Sequence, residues 1–147
     1  MSDCCTEKSS ELIRPGCPGC GASCHRVSLI TLLHQVKFPF NQQLEEQDDY
    51  YFCPNRHCDI GYFSTISTIP KQHLLSCHNI QAGWLCYCFD ISEARFRSAI
   101  TAGTIGTLQG FVINKTRAGL CACEVRNPSG RCCLATLKAM EKDLLPH

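Results

Sequence analysis

Residues 16–21, Gly16-Cys17-Pro18-Gly19-Cys20-Gly21, form a C-x2-C knuckle in which proline and glycines let the backbone turn so that two sulfurs converge on one ion. Its expected partner is Cys53-Pro54-Asn55-Arg56-His57-Cys58, a C-x4-C hairpin set between two strand-like runs, Tyr50-Tyr51-Phe52 and Ile60 to Phe63. Together Cys17, Cys20, Cys53 and Cys58 supply four thiolates. A closed tetrahedral Cys4 shell is what zinc adopts when its role is structural, with Zn–S bonds of about 2.3 Å and no open position for a substrate. If one of the four cysteines is a spare, His25, His34 or His57 is the replacement. A fifth sulfur has no place in such a shell, so Cys24 reads as a free thiol.

Working outward, the chain of 147 residues has a formal net charge of +1, is 44% hydrophobic and 18% charged, and contains 14 cysteines. That balance suits compact modules rather than a disordered tail, and the cysteine density points to an inorganic or covalent staple. A nucleic-acid partner is not expected, because there is no basic excess and Glu45, Glu46, Asp48 and Asp49 precede the second knuckle. Met1 to Ser10 is polar and has no apolar core of a secretory signal, and Val27 to Phe40 is interrupted by Thr31, His34, Gln35 and Lys37. The expectation is a cytoplasmic protein without membrane insertion, whose clustered thiols stay reduced and serve as ligands rather than as a disulfide scaffold.

The cysteines fall into two groups, Cys17 to Cys58 and Cys86 to Cys133, separated by Ser64 to Gln81, which is rich in Ser and Thr and reads as a connection. The expected organisation is a flexible N-terminal tail at 1–15, a zinc-binding module at 16–80 and a second metal-binding module at 81–147. The fold class is α+β, a small β-rich zinc module followed by a small helical one. At this size a core supplies only about 3 to 5 kcal/mol, so a metal is the expected supplement.

The second module begins at Trp84-Leu85-Cys86-Tyr87-Cys88-Phe89, where alternate residues of an extended segment point the same way. Asp90-Ile91-Ser92-Glu93 has the form of an N-cap with Glu at N3. The helix that follows should turn Ile91, Ala94, Phe96, Ala99 and Ile100 inward and end at Gly103. Ile105, Leu108 and Val112 predict a second helix, weakened by Gly106 and Gly110. Beyond Cys121-Ala122-Cys123, Asn127-Pro128-Ser129-Gly130 is a turn signal, and Leu134, Leu137 and Met140 repeat at helical spacing. Cys132 and Cys133 thereby fall in the first turn of a third helix, whose N–H groups, with Arg126 and Arg131, favour thiolates and anionic clusters. By ligand count alone a second zinc fits these cysteines as well as a [2Fe-2S] cluster does.

Cys86-Tyr87-Cys88 and the long run Cys123-Glu124-Val125-Arg126-Asn127-Pro128-Ser129-Gly130-Arg131-Cys132-Cys133, with Tyr51-Phe52-Cys53, Cys58 and Tyr62-Phe63, resemble the zinc- and [2Fe-2S]-containing N-terminal region of CopZ-type copper chaperones. The second half is also similar to the bacterioferritin-associated ferredoxin-like [2Fe-2S] domain. The resemblance implies cluster ligands at Cys86, Cys88, Cys123 and Cys133 and zinc ligands at Cys17, Cys20, Cys53 and Cys58. Cys121 against Cys123, and Cys132 against Cys133, stay open as alternatives. It further implies a [2Fe-2S] electron carrier that reduces Cu(II) to Cu(I), with copper ions or a copper-handling protein as partners. The alternative is a redox- or iron-sensing module that docks to a larger partner without passing an electron. The family's separate heavy-metal-binding domain is not found before His147, which weakens the expectation of copper delivery, and Cys4-Cys5 offers a soft thiolate pair suited to Cu(I). No H-E-x-x-H, P-loop or dinucleotide motif is present, so an enzyme beyond a metal-ion reductase is not expected.

Overall fold

In the computed structural model the described residues are 14–144. Most of the expected tail, including Cys4 and Cys5, lies outside them.

The first half is built on a four-stranded antiparallel sheet with its strands in sequence order, β1 (His25–Val27), β2 (Tyr50–Phe52), β3 (Ile60–Phe63) and β4 (Thr68–Pro70). The two strand-like runs flanking the second knuckle are thus β2 and β3, paired with Phe52 opposite Tyr62. A helix, α1 (Leu29–Gln35), follows β1. Because successive residues of a strand point to opposite faces, β2 and β3 feed two different cores. Tyr50, Phe52 and Tyr62 join Val27, Leu32, Val36, Ile69, Leu74 and Ile80 in an apolar cluster. Tyr51 and Phe63 instead pack with Cys17, Cys24 and Cys53. Leu32 and Val36 of the α1 region are buried as expected, whereas Leu33 is exposed.

Ser64 to Gln81 is not a connection. It contains β4, a 3-10 turn at Lys71–His73 and the short helix α2 (Cys77–Gln81), and it delivers Ile69, Leu74 and Ile80 to the core. Its polar composition concealed three apolar anchors spaced widely enough to break any periodic pattern.

The second half opens with a two-stranded ribbon, β5 (Trp84–Cys86) and β6 (Ile91–Ser92), and continues with α3 (Glu93–Ala102), α4 (Ile105–Arg117), α5 (Cys123–Arg126) and α6 (Leu134–Leu144). The chain as a whole mixes helix with small antiparallel sheets, consistent with α+β. The cap of α3 is Ser92 rather than Asp90: the Arg95 amide donates to the Ser92 hydroxyl at 3.1 Å, and Asp90 occupies a left-handed turn position at φ 63°. Gly103 ends α3 at φ 75°, where a left-handed residue releases the chain. Phe96 and Ala99 face inward as expected and Ala94 does not. Leu85, Ile91, Phe96, Val112 and Leu137 surround Cys86, Cys123 and Cys133 in this core. Among the described residues no helix is long and apolar enough to cross a membrane.

The halves meet where α1 packs on α5 and on the turn that follows it. Gly130, at φ 71°, approaches α1 so closely that a Cβ there would lie 2.8 Å from the Thr31 hydroxyl oxygen. Gly130→Ala therefore meets both an unfavourable backbone conformation and a steric conflict with a buried side chain. A loss of about 1–3 kcal/mol, read as a fall of several degrees in the thermal midpoint, is expected. An unchanged midpoint would show that the contact yields freely.

Candidate metal centres

The first knuckle is closed by two backbone bonds, Gly21 N–H to the Cys17 carbonyl and Cys17 N–H to the Ala22 carbonyl, both 2.8 Å. Gly21 supplies the left-handed turn at φ 79°. At the second knuckle the Cys53 amide donates to Gly61 O at 2.9 Å and the Cys58 amide to Asn55 O at 3.0 Å, so the hairpin is pinned at both cysteines. The knuckles come together across Gly19, where a Cβ would sit 2.9 Å from the end of Ile60 and 3.3 Å from the Cys58 sulfur.

The result is a group in which the sulfurs of Cys17, Cys20, Cys53 and Cys58 all lie within 4.8 Å of one another. Cys17 to Cys58 is 3.9 Å and Cys20 to Cys53 is 3.5 Å. A tetrahedron of 2.3 Å Zn–S bonds has an edge of about 3.8 Å, so the four sulfurs stand at nearly the separation that zinc requires. Cys17 and Cys53 are buried, Cys58 is half-buried and Cys20 is exposed. Burial pushes the Cys53 and Cys58 thiols up, while backbone and Asn55 hydrogen bonds lower that of Cys20 to about 6. Ion binding must therefore displace protons from the buried members. His25, His34 and His57 do not enter the group: His34 is exposed with Nδ1 2.9 Å from Ile30 O, and His57 is exposed. Cys24 is fully buried beside the group, donates to Ala22 O at 3.1 Å, and is raised to about 11, chiefly by burial.

One residue of this centre escaped sequence reasoning. Lys71, only 1% exposed, directs its ammonium at three carbonyls of the second knuckle and the strand leaving it: Asn55 at 3.0 Å, Cys58 at 2.9 Å and Ile60 at 2.6 Å. It also lies 6.0 Å from the centre of the Phe52 ring. Nothing in the surrounding Ser- and Thr-rich sequence marks this lysine as internal, since the partners that satisfy it are backbone atoms.

In the second half the extended segment ends at Cys86, and Cys88 stands in the turn that follows β5. Both sulfurs nonetheless reach cysteines from the C-terminal stretch. Cys86 Sγ is 3.3 Å from Cys133 Sγ, and Cys88 Sγ is 3.5 Å from Cys123 Sγ and accepts the Ala122 amide at 3.1 Å. Cys133 precedes α6, its carbonyl accepting the Leu137 amide at 2.9 Å, so it occupies the cap and Cys132 lies outside the helix. Cys132 and Cys121 are both half-buried, Cys121 at the edge of the same core. A hydrogen bond from Cys133 lowers the Cys86 thiol, whereas hydrogen bonding to Cys123 and burial raise that of Cys88. Cys123 is held up at about 12, first by its interaction with Cys133. The two close sulfur pairs, linked to each other by the Cys123–Cys133 interaction and drawn from three separate segments, make a thiol-rich set of soft donors.

Residues 14–75 match the family model zf_CopZ, described as a zinc binding domain, and this range contains all four cysteines of the first centre. The copper chaperone CopZ of Archaeoglobus fulgidus is 29% identical over 121 residues, covering 80% of this chain. The chain spans 57% of that relative's length. The X-ray structure of the Archaeoglobus fulgidus CopZ N-terminal domain is similar with a TM-score of 0.66 at 27% identity, covering 85% of this chain and 96% of that one. Residues 14–75 thus match a zinc-binding family model whose range holds a cysteine quartet able to take Zn2+, and the chain is similar to the Archaeoglobus CopZ N-terminal domain.

Proposed function

We propose that this chain serves in copper handling, with a structural zinc at Cys17, Cys20, Cys53 and Cys58 and a [2Fe-2S] cluster at Cys86, Cys88, Cys123 and Cys133. The observation that carries the second assignment is the pairing of sulfurs, Cys86 with Cys133 and Cys88 with Cys123, inside the apolar core of the second half. Cys86, Cys88, Cys123 and Cys133 would hold such a cluster through four thiolates, the protein donor set that a [2Fe-2S] centre takes. The name of the Archaeoglobus relative supports the copper context.

Such a cluster supplies one-electron reduction, here of Cu(II) to Cu(I), the valence that soft thiolate sites hold. The polypeptide's part would be to hold the four sulfurs away from bulk water, and since the thiols of Cys88, Cys123 and Cys133 are raised in the free protein, cluster binding would have to displace their protons, helped by nearby donors and charge. Cys86, Cys123 and Cys133 are buried, the Ala122 amide donates to Cys88, and Cys133 caps α6, where the helix N-terminus favours negative charge. The positive charge of Arg126 also favours the Cys88 thiolate. Copper ions or a copper-handling protein are the partners in this reading, and a reducing compartment is its setting.

Metal analysis of anaerobically purified protein should give one zinc and two irons per chain, with a reduced sample that shows the paramagnetic resonance signal of a [2Fe-2S] centre. Adding one equivalent of Cu(II) should abolish that signal and yield Cu(I), captured by a Cu(I)-specific chelator. Two zincs and a colourless sample would overturn the cluster, and a reduced cluster that ignores Cu(II) would remove the reductase role.

A further inference from the structure

The sequence divides into two cysteine groups, but the backbone that carries the second group is tied down by side chains of the first half. Gln35, only 4% exposed at the end of α1, donates from Nε2 to Val125 O at 2.8 Å and Arg126 O at 2.9 Å, and its Oε1 accepts from Ser76 at 2.8 Å. Every polar valence of that amide but one acceptor lone pair is thereby used, and two carbonyls at the end of α5 that have no helical partner are satisfied. Thr31, fully buried one helical turn earlier, donates to Glu124 O. Tyr62 of β3, fully buried and 66 residues away along the chain, donates its hydroxyl to Pro128 O. These three side chains grip the carbonyls of Glu124, Val125, Arg126 and Pro128, immediately after Cys123 and shortly before Cys133.

We infer that Thr31, Gln35 and Tyr62 are positioning residues for the second cysteine quartet, so that the zinc-binding half sets the separation of Cys123 and Cys133 from Cys88 and Cys86. The polar character of the contact is what makes the inference specific. An apolar docking face would tolerate sliding, whereas four hydrogen bonds to named carbonyls fix a register, and a buried carbonyl left without its donor is costly. Tyr62 sits in the same strand as Phe63, which packs against Cys17 and Cys53, so a disturbance at the zinc reaches the Pro128 contact through a single residue step. As a metal-site statement the inference rests on the cluster proposed above; as a statement about the backbone it does not.

The test uses Gln35→Leu and Tyr62→Phe in the full chain, purified anaerobically. Each should keep one zinc per chain and release iron to a chelator about tenfold faster than wild type, with a shifted resonance signal of the reduced cluster. Amide hydrogen exchange at residues 123–133 should accelerate by a similar factor while β2 and β3 stay protected. Iron release and exchange identical to wild type in both variants would overturn the inference, as would exchange that accelerates equally throughout the chain. If wild-type protein holds no iron, the cluster reading fails and the exchange profile alone decides this one.

Discussion

Cys53→Ser is expected to unfold the first half of the chain. Zinc-saturated wild type should show a cooperative thermal transition, whereas the variant, and wild type stripped by a strong chelator, should lose the sheet signal in far-ultraviolet circular dichroism. The reason lies in what holds the sheet. Its strands are three or four residues long, and on one face their packing partners are the cysteines themselves, with Cys53 fully buried between Phe63 and Cys17. Structural zinc contributes on the order of 10–16 kcal/mol of binding free energy to small folds, comparable to the whole stability of a typical domain, about 5–15 kcal/mol. Serine cannot supply the fourth soft ligand, and a three-thiolate shell completed by water holds zinc more weakly and opens it to exchange. A Cys53→Ser protein with wild-type zinc content and an unchanged transition would mean that the four sulfurs converge for another reason. Cys24→Ala, by contrast, should keep its zinc, because that thiol donates to Ala22 O and lies outside the shell.

Lys71→Met should cost about 3 kcal/mol or more, since three buried carbonyls each lose a donor at about 1–3 kcal/mol. Methionine fills the channel but leaves the carbonyls of Asn55, Cys58 and Ile60 without their donor. These carbonyls belong to the knuckle and its exit strand, so the loss falls on the geometry that presents Cys53 and Cys58. A zinc ion with four thiolates has a net charge of about −2, and the lysine brings a positive charge to its edge. Denaturant unfolding of the zinc-loaded variant and zinc transfer to a chromogenic chelator measure the two effects separately. Both should move, with faster zinc transfer even under conditions where the variant is fully folded. Stability within 1 kcal/mol of wild type, together with an unchanged transfer rate, would show that water replaces the ammonium without penalty.

The two knuckles, the strands beside them, the three longer helices of the second half and the turn at 127–130 were all legible in the sequence. Each rests on a local rule: glycine and proline at a tight turn, aromatic alternation in a strand, apolar spacing in a helix. The fold of Ser64 to Gln81 was not legible, because isolated residues such as Ile69, Leu74 and Ile80 reach the core without making a periodic pattern. The α3 cap was misplaced by two residues because Asp90 and Ser92 are both good caps, and only the pairing of Ile91 with Cys86 in β6 decides between them. Cys86 and Cys88 reach their partners although Cys88 lies beyond the strand, so alternation was an incomplete reason for their convergence.

The sequence by itself determined where the thiols stand along each half and, in the first half, their C-x2-C and C-x4-C spacing, because these are local properties. Only the tertiary structure decided which backbone atoms hold those thiols in place. Lys71 reaches carbonyls 11 to 16 positions away and Gln35 reaches carbonyls 90 and 91 positions away, and a carbonyl group carries no residue-specific mark. A donor whose partner is main chain leaves no pattern in the order of side chains, so such contacts become visible only when the chain has folded back on itself.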